Sequence, residues 1–158
     1  MPDRKDLRSG FTTGTAAAAS AKLAALALLG HPPDGGPWSV VVPLPDGGRL
    51  TVAVAEVAVL PGGRVRAVTI KDGGDDPDVT HGARIGCTVA LDPALAPGQV
   101  RITGGPGVGV ATLPGLPIPV GAPAINPGPL AQIRAALAEA AAEAANGPPA
   151  FGLVAIID

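Results

Sequence analysis

Cysteine occurs once, at Cys87, tyrosine is absent, and histidine is found only at His31 and His81. A lone thiol cannot close an internal disulfide, which excludes a secreted disulfide scaffold. One Cys and two His are also too few for a Cys/His zinc cluster, and this usage fits a reducing cytoplasm. Aromatic residues make up 2% of the chain (Phe11, Phe151 and Trp38) and the net charge is −2. Neither the stacking platform nor the basic footprint of a nucleic-acid binder is present. The apolar stretch 16–29 follows Arg4, Lys5 and Arg8 in the manner of a signal peptide. Lys22 interrupts it, however, and it is too short to span a bilayer, so it reads as a helix of a soluble protein.

Charge of either sign is scarce, at 15%, while 47% of residues are hydrophobic and the mean hydropathy is +0.39. That is the reverse of a disordered composition, so a packed core is expected despite 23 Gly and 19 Pro in 158 residues. The length suits one domain, 1–158, and excludes two large ones. Residues 15–29 are almost unbroken Ala and Leu, with Thr12 or Thr13 to cap the first turn and Gly30 to stop the last. A second helix is expected over 126–145, with Asn126 as cap, Pro127 in the first turn, and Leu130, Ile133, Leu137 and Ala141 as its apolar stripe. Between the helices, Val-rich segments are separated by Pro45-Asp46-Gly47-Gly48 and Pro61-Gly62-Gly63. These predict a three-strand antiparallel meander of 39–44, 49–60 and 64–71. Further strands are expected at 84–91, 100–103 and 151–157. Two helices on a mostly antiparallel sheet make the fold class α+β.

Three segments can carry chemistry. The first, Gly10-Phe11-Thr12-Thr13-Gly14-Thr15, offers hydroxyls and free amides at a helix start, suited either to an anion or to ordinary capping. The second, residues 71–82 (KDGGDDPDVTHG), packs Asp72, Asp75, Asp76 and Asp78 beside Lys71, Thr80 and His81. It reads either as a binding loop or as a set of Asx turns capping a short helix near Pro77. Its spacing fails the EF-hand pattern. The third, Gly104-Gly105-Pro106-Gly107-Val108-Gly109, has amides that can face a polar ligand, or is a bend where another backbone comes close. No helix-opening dinucleotide or P-loop fingerprint follows it. Cys87 reads as a small core residue, and Arg64, Arg66 and Arg84 are too scattered to form a patch.

Taken in order, residues 7–15 (LRSGFTTGT), 71–82, 104–109 (GGPGVG), 115–121 (GLPIPVG) and 124–127 (AINP) resemble the cobalt-precorrin-5B C1-methyltransferases of anaerobic cobalamin biosynthesis. The resemblance covers almost the whole chain but only the family's first domain; the second α/β domain is absent from these 158 residues. Ala16 stands where the family commonly has Cys, and Leu113 where Lys is common. The resemblance implies a rearranged version of the ribosomal-protein-S5 second-domain fold. It also implies methyl transfer from S-adenosylmethionine to a cobalt corrinoid, with no protein-bound metal. On that basis Asp75, Asp76 and Asp78 complement the sulfonium or act as base, and Thr80 or His81 handles a proton. The carboxylate-rich corrinoid meets Thr12, Thr13, Gly14, Thr15 and the loop of Gly105, Gly107 and Gly109, near Asn126. Lys71 and Asp72 lie between the two groups. A corrinoid-binding module without catalysis, or half of a split enzyme completed by a second protein, is the competing expectation. Contacts between subunits, as in a homo-oligomer, or between domains are expected to cover the Ala-rich helix faces.

Overall fold

The structure is a computed structural model that describes residues 9–30, 34–75, 79–112, 114–115, 117–144, 147 and 149–158. His31, Asp76 and Asp78 lie outside the described residues, as does Pro77, where one of the two readings of the loop put a short helix.

The first helix, α1 (Thr13–Leu28), begins where Thr12 Oγ1 accepts the Thr15 amide at 3.1 Å and ends before Gly30, whose φ is +107°. Residues from Gly14 to Lys22, together with Ala24 and Ala25, are buried. Side chains this small let sheet and helix approach α1 from several directions, and these Ala faces are covered within the chain itself, without a second copy. The second helix, α2 (Pro127–Ala142), is shorter than the span 126–145. Asn126 holds the N-cap position, yet its side chain makes no capping bond. The third helical residue, a usual capping donor, is Pro129, which has no N–H.

The strands are β1 (Trp38–Pro43), β2 (Arg49–Val54), β3 (Glu56–Leu60), β4 (Arg64–Ile70), β5 (Arg84–Asp92), β6 (Val100–Gly104) and β7 (Gly152–Ile157). They do not form the expected three-strand meander. β1 and β2 make a separate hairpin, and a five-stranded sheet runs β3-β4-β5-β7-β6. The span 49–60 breaks at Ala55. Trp38 pairs with Val54, so the next partner on that side is Pro37, which cannot donate to a ladder. The Ala55 amide bonds instead to Val68 O, 2.8 Å away, which hands the chain over to β4. Side-chain parity changes at the same point. Val52 and Val54 are buried, whereas Ala55 and Glu56 are both exposed and Val57 is the next to be covered.

β7 lies inside the sheet, antiparallel to β5 and parallel to β6. The parallel pair follows from the β6-α2-β7 crossover, and the architecture is α+β with mixed sheets. Between β3 and β4 the chain turns on Gly62 and Gly63, at φ +82° and +69°, a pair of conformations that side chains with a Cβ rarely adopt.

The two helices are parallel. Thr15 meets Gln132 near their starts, Lys22 meets Glu139 further along, and the same sequence offset separates both pairs. Polar groups in the interior are matched. Ser20 Oγ donates to Ile85 O at 2.8 Å, so the 2.8 Å bond between Ser20 and Thr69 must have Thr69 as donor. The Lys22 ammonium, on a side chain 3% exposed, reaches Val41 O at 2.8 Å, Glu143 at 3.3 Å and Glu139 at 3.6 Å. Arg49 adds a 2.6 Å bond to Glu139 and thereby ties the hairpin to α2.

The Arg49 guanidinium holds the Glu139 carboxyl below its ordinary value of 4.5, with Lys22 adding to the effect. A depressed carboxylate contributes stability that is fully present above its ordinary value and is lost as pH falls through the lowered one. Glu139→Gln should therefore cost on the order of 2 kcal/mol at neutral pH, with the gap to the parent closing below pH 4.5. Thermal melts across that range check this; two parallel curves would contradict it.

Candidate functional site

The segment before α1 docks on the aspartate loop. Ser9 bridges Gly74 in antiparallel fashion, and the Phe11 amide donates to Asp72 O at 2.8 Å. Gly10 makes this approach possible, because a Cβ there would overlap the backbone of Asp72, Gly73 and Gly74. The loop leaves β4 at Ile70 and is closed at its base by Lys71 N–H to Ala83 O and Gly82 N–H to Lys71 O, both 2.8 Å. Inside it, Asp72 Oδ1 accepts the Gly74 amide at 2.8 Å in an Asx turn, and His81 Nδ1 accepts the Gly73 amide at 2.9 Å. Asp72 Oδ1 lies 3.8 Å from the same ring nitrogen. Lys71, 4% exposed, donates to Thr80 Oγ1 at 2.5 Å. Much of the loop's polarity thus goes into its own shape, and among the described residues no three His, Cys, Asp or Glu are placed to hold a metal ion.

Two clefts open on either side of the α1 N-terminus. One, of about 630 Å³, is lined by residues 10–14, Pro45, Lys71, Gly73, Gly128, Pro129 and Gln132. The other, of about 510 Å³, includes Arg84, Gly107, Val108, Gly109, Asn126 and Asp158, and it shares Thr13, Gly14 and Pro129 with the first. Because the helices are parallel, both of their N-termini border the first cleft. Gly14 allows this: a Cβ there would lie 3.1 Å from the Pro129 ring and 3.3 Å from Gln132 Oε1.

The structure sorts the expected site residues. Thr12, Thr13, Gly14 and Lys71 line the first cleft, whereas Gly107, Gly109 and Asn126 line the second. Thr15 is buried and accepts from Gln132 Nε2 at 2.9 Å. Asp72, Thr80 and His81 brace the aspartate loop, and Asp75 sits exposed on its turn. Gly105 packs against β7 and donates its amide to Ile157 O at 2.7 Å, so that N–H is not available to a ligand. The close-approach alternative therefore holds at Gly105, and at Gly104, where a Cβ would meet Val108, while Gly107 and Gly109 line the second cleft.

Gln132 and Asp158 were not anticipated. Gln132 is the only uncharged polar side chain in α2, and that break in an apolar run is the signal that could have found it. Asp158 pairs with Arg66 at 3.0 Å over Gly86, where a Cβ would collide with both side chains. Arg84 lines the second cleft and pairs with Glu56 at 2.6 Å. Cys87 is fully buried, and burial pushes its thiol well above the ordinary 9.0, as befits a core residue.

The chain matches the CbiD family over residues 1–156. It belongs to that family. Similar curated proteins are the cobalt-precorrin-5B C(1)-methyltransferases of Nitratidesulfovibrio vulgaris, 50% identical over 92% of this chain, and of Methylorubrum extorquens, 51% identical over 89%. The chain spans 38% and 37% of their respective lengths. A crystal structure of a cobalamin biosynthesis protein, cbiD, from Archaeoglobus fulgidus superposes with a TM-score of 0.63 at 28% identity. That match covers 96% of this chain and 44% of the other. The CbiD assignment agrees with the resemblance drawn from the motifs, and residues from four of the segments that carried it, 10–14, Lys71 with Gly73, 106–109 and 124–126, line the two clefts at the start of α1.

Two outcomes follow from this packing. Gly10→Ala should leave the helices folded while amide exchange in the aspartate loop rises at least tenfold, since the loop loses its docked strand; unchanged protection there would contradict the docking. Cys87 should react with a thiol reagent only on unfolding, and rapid modification of the native chain would contradict its burial.

Proposed function

We propose that this CbiD-family domain supplies the ligand-holding part of S-adenosylmethionine-dependent methyl transfer to C1 of cobalt-precorrin-5B in anaerobic cobalamin biosynthesis. One observation carries the reading: the two most distinctive motifs, residues 10–15 and 71–75, are hydrogen-bonded to each other at the mouth of one cleft. The relatives' names supply the reaction.

The methyl donor supplies an electrophilic methyl on a sulfonium. A ring carbon of the corrinoid bonds to that methyl as the S–CH3 bond breaks, and sulfur keeps the electron pair. Such a displacement needs alignment and the exclusion of water more than a strong base. The residues here suit that work. Asp75, with Asp76 and Asp78 beyond the described part of the loop, complements the positive sulfonium. Asp72 and His81 shape the loop through the Gly74 and Gly73 amides, and His81, or Thr80 as a relay, handles the proton that the macrocycle releases. Gly107, Gly109 and Asn126 give the second cleft an open backbone surface for the corrinoid, with Arg84 facing its carboxylates. The amides at the start of α1 lie between the two ligands.

The chain spans 35–38% of the length of its curated relatives, and a second reading is half of a split enzyme or a corrinoid-binding module. The domain would then bind, and a complementary portion would complete the site. Purified chain, incubated with S-adenosylmethionine and reduced cobalt-precorrin-5B, should bind ligand alone and form S-adenosylhomocysteine only when the remaining portion of a relative is added. Turnover by the chain alone would remove the need for that portion, and binding of neither ligand would overturn the proposal.

A further inference from the structure

The first cleft carries more chemistry than an anion site needs. The amides of Thr13 and Gly14, and that of Gly128 at the start of α2, make no hydrogen bond to any described residue. Buried Lys71, which donates to Thr80 Oγ1, lines the same cleft. The three amides suit a negatively charged ligand. Gln132 is different. It is 6% exposed, and both of its amide hydrogens are committed, to Thr15 Oγ1 at 2.9 Å and Pro43 O at 3.0 Å. Because a backbone carbonyl can only accept, Pro43 fixes which end of the amide is nitrogen. Gln132 Oε1 is therefore directed the other way, beside Gly14, on a side chain that lines the cleft, and it has no donor among the described residues. It is not sealed off, since among the described residues every fully buried side-chain N or O has a partner.

A cleft with amide donors on one wall and an unpartnered carbonyl oxygen on another suits a ligand that carries an anion and a donor side by side. A second carboxylate would be repelled by Oε1, and a lone carboxylate would leave it unsatisfied. We infer that the first cleft takes an α-amino-acid end, its carboxylate at the starts of α1 and α2 and its ammonium at Gln132 Oε1. This rests on the reading above, in which the domain holds a methyl donor, and assigns the α1 amides to that donor's amino-acid end rather than to the corrinoid. It also places the next atoms of such a ligand, including sulfur, near the aspartate loop at Gly73. The cleft volume falls within the range of small-molecule sites, about 300–1,000 Å³.

Titration calorimetry of the purified chain tests this with two probes, S-adenosylhomocysteine and 5′-methylthioadenosine, which differ in the amino-acid end. The parent should prefer the first at least tenfold. Thr13→Pro is a precise deletion of one amide. Thr13 is the first helical residue, where proline is tolerated, and Thr12 at ψ 164° already has the extended backbone that proline requires before it. This variant should lose about tenfold in affinity for S-adenosylhomocysteine, the size expected for one charged hydrogen bond. Its affinity for 5′-methylthioadenosine and its melting temperature should not change. Gln132→Leu should lose the same preference by removing Oε1.

If the parent binds both probes equally, or if Thr13→Pro binds S-adenosylhomocysteine as the parent does, the inference is overturned while the domain remains a methyl-donor binder. If Thr13→Pro instead loses affinity for the cobalt corrinoid cobyrinic acid alone, the α1 end belongs to the corrinoid and the inference is again overturned. Failure of the parent to bind S-adenosylhomocysteine would overturn it together with the methyl-donor reading.

Discussion

Parallel packing of α1 on α2 is the constraint from which the site follows. Two aligned helices bring like ends of their dipoles together, which is unfavourable by itself. The chain offsets that cost at both ends. Far from the site, buried Lys22 lies between the helices and is neutralised by Glu139 and Glu143. Near it, Gln132 crosses from α2 to Thr15 on α1 and to Pro43 on the hairpin. What remains uncompensated at the helix starts is positive potential directed into a cleft. Gly14 sets how closely the two starts approach. The same small-residue logic that lets α1 sink into the core therefore shapes the place where a ligand would sit.

The aspartate loop is held to that end of the molecule by backbone rather than by charge. The Phe11 amide on Asp72 O and the bridge from Ser9 to Gly74 do not change with protonation. That tether therefore does not depend on the charge state of the loop's carboxylates. Asp72 also serves the loop's own shape, because its Oδ1 accepts the Gly74 amide. Crowded acids are tolerable here because their tether is neutral, and a cationic ligand can use the field they create.

Much of this was legible in the sequence. The helices, the turns at Gly47 and at Gly62-Gly63, and the α+β class follow from Ala runs, β-branched runs and their punctuation. The motifs, read as residue strings, led to the family. The break at Ala55 was not legible because it depends on the register of β1: only pairing reveals that the next partner would be Pro37, which lacks an N–H. The central place of β7 was equally hidden, since chain order does not dictate sheet order. Gln132 and Asp158 escaped for another reason. Each acts through a residue distant in sequence, Thr15 and Arg66 respectively, and single polar residues at helix or strand positions carry no local mark of such partners. Gly105 shows the converse. It belongs to a motif that reads as ligand-facing, yet its amide is spent on Ile157 O.

The central claim is that residues from the start of α1, the aspartate loop and the start of α2 form one ligand site. Amide chemical shifts of the chain, followed while S-adenosylhomocysteine is added, address it most directly. The account predicts that the largest changes cluster together at Gly10–Gly14, Lys71–Gly73 and Gly128–Gln132 and saturate with a single affinity. Changes confined to the β1–β2 hairpin or the outer β3 edge, with those three segments unmoved, would contradict it.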